Sequence, residues 1–229
     1  QGSRIADVGT DHGYIPVYLA QTGRIASALA MDVRPGPLER AQAHVRDYEE
    51  RERARRQDVW AVPIHLRLSD GLKELKPGEA DTVIIAGMGG ELIIKILDEG
   101  RHVWDSVKQY VLSPQSDLDK VRRYLAAHGF AIEDEAMVKD EGKYYTVMSV
   151  KRGFMEYESQ AHYLYGKILI DKKDVILREY LGREMLRIEK ILVSLQAKDG
   201  ITDTETRAEA RISRQKELSW IKEAQDEMQ

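Results

Sequence analysis

Hydrophobic positions follow two rhythms along this chain, and the change falls near residue 154. Before it, short apolar and β-branched runs alternate with stretches where apolar residues recur at helical spacing. The short runs predict strands at Arg4 to Gly9, Ala26 to Val33, Val62 to Ser69, Asp81 to Ala86 and Tyr110 to Leu112. Helices are expected between them. They run from about Gly13 to Thr22, from Pro35 through Ala41 and Val45 to Arg51–Arg56, from Gly89 to about Glu99, and from Asp117 to His128. Pro35 and Pro37 suit a first turn because proline's fixed φ is already helical, and Gly129 supplies a stop. The run Asp-Thr-Val-Ile-Ile-Ala at 81–86 is apolar and β-branched, as a central parallel strand should be. Alternation of this kind implies an α/β fold: a mostly parallel sheet with helices on both faces.

The alternation then stops. Phe130 to Val138 and Tyr144 to Val150 are strand-like, and only Lys139-Asp140-Glu141-Gly142-Lys143 lies between them. So short a link predicts antiparallel pairing. A terminal hairpin on a parallel sheet is the habit of Rossmann-like class I methyltransferases; dinucleotide dehydrogenases usually continue with parallel units. Beyond about Phe154 the strand signals end. Leu177, Leu181, Met185, Ile188, Leu192 and Leu195 step by three and four, close to a coiled-coil seam. Asp199-Gly200 breaks it. A second helix, about Asp203 to Met228, carries Ala208, Ile212, Leu218 or Ile221, and Ala224. The expectation is a Rossmann-like domain over 1–153 and a helical coiled-coil domain over 154–229.

Composition narrows the function classes. The 229 residues suffice for one ordinary domain and a smaller appendage. There is no cysteine, which excludes disulfides and thiolate metal sites, and a reducing cytoplasm is expected. The histidines are dispersed, without an H-x-H or H-x-x-x-H pair, so no metal is expected. No apolar run approaches the roughly 20 residues of a membrane span, so no membrane partner is expected either. The formal net charge of -4 argues mildly against nucleic acid, although a local basic patch would suffice. The first residues run straight into a strand, and a preceding segment is expected.

The residues just after each strand carry the chemistry, because ligands of open α/β sheets bind beyond the carboxyl ends of the strands. The first such segment is Asp7-Val8-Gly9-Thr10-Asp11-His12-Gly13. Gly9 lets the backbone turn tightly, and Gly13 opens a helix whose free N–H groups can receive a carboxylate. The spacing is not G-x-G-x-x-G. Asp11 stands where a dinucleotide fold wants a glycine beside its pyrophosphate. An anion there repels phosphate and tolerates a ligand with a sulfonium and an amino group, namely S-adenosylmethionine. Asp32, with Val33, follows the second strand and is placed to accept ribose hydroxyls. Asp70, with Gly71, follows the third, as an acceptor for the adenine amino group or as a plain helix cap. Ala86-Gly87-Met88-Gly89-Gly90 follows the fourth and strips side chains from the wall where cofactor and substrate meet. Ser113-Pro114-Gln115-Ser116 follows the fifth, either holding the substrate base or capping the next helix. Each feature has a bland structural alternative; their agreement in order is what counts.

The runs Asp7 to Pro16 and Ile85 to Gly90, with Gly36-Pro37, Asp70-Gly71 and Glu141-Gly142-Lys143-Tyr144-Tyr145, resemble the bacterial tRNA adenine N1-methyltransferase family called TrmK. The resemblance covers nearly the whole chain. It differs from the usual pattern at Gly13 (often Ala), Asp32 (often Glu) and Leu112-Ser113-Pro114-Gln115 (often Leu-Gln-Pro-Asn). It implies a Rossmann-like catalytic domain, a C-terminal helical coiled coil, and a helix ahead of the first strand. It also implies methylation of adenosine at position 22 of tRNA to N1-methyladenosine, with S-adenosylhomocysteine as co-product.

On that reading Asp7, Gly9, Thr10, Gly13, Asp32, Val33, Asp70, Gly71, Ala86, Gly87, Met88 and Gly89 contact the cofactor. Adenine N1 has a free lone pair, so attack needs alignment and a carboxylate near the developing cation rather than a strong base. Asp11 is expected to supply that carboxylate, with His12 or Tyr14 orienting the base. Phosphate contacts are expected from Arg34, Arg122, Arg123, Lys139, Lys143, Lys172 and Lys173. A monomer is favoured. The rivals are a methyltransferase of another RNA, protein or small molecule; an NAD-dependent oxidoreductase, against which Asp11 and the hairpin speak; and a catalytically silent RNA-binding or scaffold protein.

Overall fold

The structure is a computed structural model that describes residues 2–55, 61–196 and 205–229. Seven strands form one sheet in the order β3-β2-β1-β4-β5-β7-β6. They are β1 (Ser3–Val8), β2 (Ile25–Asp32), β3 (Ile64–Leu68), β4 (Thr82–Met88), β5 (Gln109–Pro114), β6 (Phe130–Asp140) and β7 (Lys143–Arg152). The first five are parallel, and β7 runs antiparallel to β5 with Tyr110 opposite Val150 and Leu112 opposite Met148. The sheet order reverses direction between β1 and β4, which makes that crevice the switch point where ligands of such sheets bind.

Three helices connect these strands, α1 (Tyr14–Gln21) after β1, α2 (Pro35–Arg55) after β2 and α3 (Gly90–Glu99) after β4; β3 passes to β4 through turns, and α4 (Leu118–Ala127) leads from β5 into the hairpin. Their buried faces meet the apolar strands, as where Val45 and Tyr48 of α2 pack with Ile5, Ala28 and Ile64. The predicted alternation therefore matches the chain in type and order, with shifts at the ends. Two are instructive. The strand predicted over 81–86 runs on to Met88, because Gly87 takes φ 75° and the register with β5 slips between Ala86 and Met88. The hairpin link shrinks to Glu141-Gly142, both at positive φ (45° and 77°), the backbone of a two-residue turn that matches the twist of its strands.

The chain divides into two compact units: 1–134 with 147–155, and 135–146 with 156–229. The outer half of the hairpin thus clusters with the C-terminal helices rather than with the sheet from which it extends. In that second unit a π-helical turn (His162–Gly166) leads into α5 (Lys167–Asp171), then α6 (Val175–Gln196) and α7 (Glu205–Glu227). Its core joins Met137 of the hairpin to Leu169, Leu177, Leu181, Ile188, Ile221 and Ala224. On α6 the predicted seam holds at Leu177, Leu181 and Ile188, with Met185 and Leu192 partly buried. On α7 the stripe is Ile221 and Ala224, continued by Met228 just past its end, with Leu218 partly buried, while Ile212 is exposed. The Asp199-Gly200 break and the start of the second helix near Asp203 lie outside the described residues.

Candidate functional site

A cavity of about 420 Å³ opens at the carboxyl ends of β1, β2, β3 and β4. Most of its wall comes from the turns that follow the strands, with one side from α3. Gly9 turns at φ 73°, a left-handed conformation that strains any other residue, and the tip of the Met88 side chain occupies the space where a Cβ would stand. Asp32 ends β2 and is buried. One of its oxygens accepts the Asp11 N–H at 3.3 Å and the other the Arg34 N–H at 3.0 Å. Each carboxylate oxygen can accept more than one donor, so the side chain organises two loops and still has acceptor capacity facing the cavity it lines.

Asp70 also lines the cavity, and its oxygen pairs with Lys73 Nζ, which holds its carboxyl below the usual range. It is not a helix cap, because no helix follows: 70–74 is a run of turns. Ser69 holds those turns together, its hydroxyl accepting the Glu74 N–H at 3.2 Å and donating to Gly71 O at 2.8 Å. That leaves the outer face of Asp70 for a ligand. The turns after β4 and β5 are tied together by Gln115 N–H to Met88 O (2.8 Å) and Gly90 N–H to Ser116 O (3.1 Å).

Of the residues singled out in the sequence, Gly9, Asp11, Asp32, Val33, Asp70, Gly71, Ala86, Gly87 and Met88 all line this one cavity. Asp7, Thr10, Gly13 and Gly89 are not among its lining residues. Gly13 caps α1, and its N–H donates to Thr10 O at 2.8 Å, so that N–H is already used by the turn. Asp7 and Thr10 are buried, and Asp7 Oδ2 and Thr10 Oγ1 have no hydrogen-bond partner among the described residues. Burial pushes the Asp7 carboxyl up to about 6, opposed in part by the adjacent Thr10 hydroxyl and helped by the Asp32 charge. Such an orphaned carboxylate beside a ligand cavity is what an ammonium group would satisfy, so the residues present fit an amino-acid-bearing cofactor.

Two lining residues escaped the sequence reading, Leu92 and Ile96, while Ser69, which precedes Asp70, also lines the cavity. Leu92 and Ile96 stand one turn apart on α3, and that i, i+4 apolar pair next to the glycine-rich turn was the available signal.

Asp11 sits at φ 49°, half-exposed. Arg40 Nη2 lies 3.2 Å from one of its oxygens and His12 Nε2 3.6 Å from the other. Ion pairs this exposed are worth about 0–1 kcal/mol, so they do not lock the carboxylate away. Tyr14 opens α1 with its ring 5.5 Å from that of His12, nearly parallel at 16°.

The phosphate candidates fare unevenly. Arg122 is fully buried in α4 and is withdrawn, because a side chain inside the core cannot reach a phosphate. Lys139 pairs with Glu179, Lys172 Nζ donates to Glu135 O and Lys173 Nζ to Gln229 O. Arg34, Arg123 and Lys143 are exposed.

The family model of TrmK, tRNA (adenine(22)-N(1))-methyltransferase, matches residues 5–218. The chain belongs to the TrmK family. It is 29% identical over 195 residues to the tRNA (adenine(22)-N(1))-methyltransferase of Bacillus subtilis, covering 83% of this chain and 78% of that protein. Among solved structures it resembles Streptococcus pneumoniae Sp1610 in complex with S-adenosyl-L-methionine. There the identity is 29%, the TM-score 0.79, and the coverage 98% of this chain and 92% of that one. It also resembles the B. subtilis m1A22 tRNA methyltransferase TrmK, at 26% identity and TM-score 0.80 over 97% of this chain and 92% of that one. Among the described residues of this TrmK-family chain, no group of side chains could hold a metal ion, and no helix is long and apolar enough to cross a membrane.

Proposed function

We propose that this chain is a methyltransferase that uses S-adenosylmethionine to methylate N1 of adenosine 22 in tRNA. The observation that carries the reading is the family match over residues 5–218, on a fold whose strand-end cavity collects the acidic and glycine positions such a cofactor needs. When bound, S-adenosylmethionine supplies a methyl group made electrophilic by its sulfonium sulfur. Asp7 and Thr10 receive the cofactor's ammonium group, and Gly13 stands at the start of α1 near its carboxylate. Asp32 accepts the ribose hydroxyls. Asp70 accepts from the adenine amino group beside Gly71 and Val33. Ala86, Gly87 and Met88 form the wall past which the methyl group is presented, and Gly89 turns the chain from that wall into α3.

Adenine N1 needs no proton removed before it takes the methyl group, and the N1-methylated base carries a positive charge. The chain therefore has to align the base and place negative charge beside it. Asp11 has that role at the cavity rim, and His12 and Tyr14 orient the base. In tRNA the N1 edge is usually paired or stacked, so the base must be extruded at a cost of a few kcal/mol. Residues 1–153 act as the catalytic domain. The helices of 154–229 act as a coiled-coil domain, and Arg34, Arg123 and Lys143 are exposed cations that can meet the phosphate backbone. The enzyme works in the cytoplasm, as a monomer.

The test is methyl transfer to unmodified tRNA with the product nucleoside identified, run on wild type and Asp11→Ala. Wild type should yield N1-methyladenosine. Asp11→Ala should lose turnover while its melting curve and cofactor affinity stay close to wild type. A near-normal rate in Asp11→Ala sinks the role of Asp11, and a different methylated nucleoside sinks the substrate.

A further inference from the structure

Helix α2 presents Arg40, Ala41 and His44 toward the Asp11–Tyr14 turn. Arg40 reaches Asp11, Ala41 packs under Gly13, and His44 Nδ1 lies 2.8 Å from the backbone carbonyl of His12. A carbonyl can only accept, so Nδ1 carries the proton and the bond fixes the orientation of the imidazole. That orientation sets the His44 ring against Tyr14, with centroids 4.9 Å apart, and against His12 at 5.9 Å. Three rings thus form one cluster beside Asp11, which lines the cavity. Its outermost member, Tyr14, stays 66% exposed. A large aromatic left in solvent is ordinarily free to change rotamer. Here two imidazoles hold it, so the ordering cost of stacking another ring on it is already met.

We propose that His44 is a positioning residue for the target base. It holds the His12 backbone through its Nδ1–H and braces Tyr14 as the platform on which the extruded adenine stacks. The proposal rests on the function above and adds a residue that does not line the cofactor cavity. Stacking also suits the product, because a cationic methylated purine is attracted to the face of a neutral phenol ring.

The two halves of the role can be separated by substitution. His44→Phe keeps a ring against Tyr14 and loses the bond to His12; His44→Asn keeps a short N–H donor and loses the ring; His44→Ala loses both. Steady-state methyl transfer on unmodified tRNA gives KM and kcat. Calorimetry gives the affinity for S-adenosylmethionine, and thermal melting reports the fold. A lost aromatic–base stack should cost on the order of ten- to a hundredfold. His44→Ala should lose about that much in kcat/KM for tRNA, with cofactor affinity unchanged. His44→Asn should show the loss mainly in KM, and His44→Phe should keep KM near wild type while kcat falls. An active wild type matched by His44→Ala overturns the proposal. So do three variants whose losses simply track melting temperature or cofactor affinity, since a structural role alone would do that. A wild type that transfers no methyl group to tRNA sinks the parent assignment and this proposal with it.

Discussion

Asp7→Asn removes a single charge from the interior end of β1 and should move stability and cofactor affinity in opposite directions. The side chain is 3% exposed, one of its oxygens is unpartnered, and its carboxyl is raised from 3.8 to about 6. A raised carboxyl means that the folded chain binds the Asp7 proton more tightly than the unfolded chain does. The stabilisation from that proton is complete below about pH 3.8 and is lost as pH rises through about 6. At roughly 1.4 kcal/mol per tenfold change in proton affinity, the ionised carboxylate costs the fold about 3 kcal/mol at pH 7.5. Asparagine escapes that cost but buries an amide without an acceptor, a penalty of roughly 1 kcal/mol at the low end of the usual range. The net gain near pH 7.5 is then about 2 kcal/mol, which for a chain of this size raises Tm by roughly 4–8 °C. The gain should shrink as pH falls, reach zero between about pH 4 and 5, and become a loss of roughly 1 kcal/mol at lower pH.

The same substitution removes the partner of the ammonium group proposed to sit there. A hydrogen bond to a charged group is worth about 1.5–3 kcal/mol, so affinity for S-adenosylmethionine should drop by about ten- to a hundredfold. The assay is paired: thermal melting of both proteins from pH 4 to pH 8 without ligand, and calorimetry with the cofactor at pH 7.5. A Tm difference that does not vary with pH refutes the burial argument. An unchanged cofactor Kd refutes the ammonium contact even if the melting behaves as expected.

Two further expectations concern packing. A Cβ on Gly90 would lie 2.5 Å from Ser116 O and 3.0 Å from Asp117 Cβ, and backbone cannot swing aside as a side-chain tip can. Gly90→Ala should therefore push apart the turns after β4 and β5, costing about 1–3 kcal/mol and weakening cofactor binding; a melting curve matching wild type would contradict the clash. In the second unit, Ile221 is fully buried while Ile212 is 51% exposed. Denaturant unfolding should show a loss of about 2–5 kcal/mol for Ile221→Ala and a change within about 0.5 kcal/mol for Ile212→Ala, and the opposite ranking would mean that α7 packs on another face.

What the sequence disclosed and what it hid divide along a physical line. The strand-end acids and glycines were legible because the rule that exposes them is one-dimensional: a buried apolar run ends, and the next few residues face a ligand. Asp32, Asp70 and the Ala86–Met88 stretch needed no partner to be found, and all of them line the cavity. His44 and Arg40 were illegible because their meaning lies in what they touch. Each sits on a charged helix where periodicity calls it surface, and only the packing of Ala41 on Gly13 brings that face onto the Asp11–Tyr14 turn. The π-helical turn and α5 were missed for a related reason. Ala161, Leu169 and Ile170 are buried without a single-faced period, since the helix bonding itself changes over His162–Gly166. Ile212 shows the converse error: spacing fits a seam, but the stripe that packs is Ile221, Ala224 and Met228.

Asp11 belongs to both classes. Its place after β1 was readable, and so was its misfit with a phosphate-binding turn. Its environment was not. Arg40 stands 3.2 Å from the carboxylate, so the free chain already holds a cation where the methylated base is proposed to develop one. The two charges compete for one anion, and an exposed pair of this kind yields easily. Asp11 can therefore favour the transition state only to the extent that a bound base displaces Arg40. That exchange ties the chemistry to occupation of the Tyr14 platform by a base.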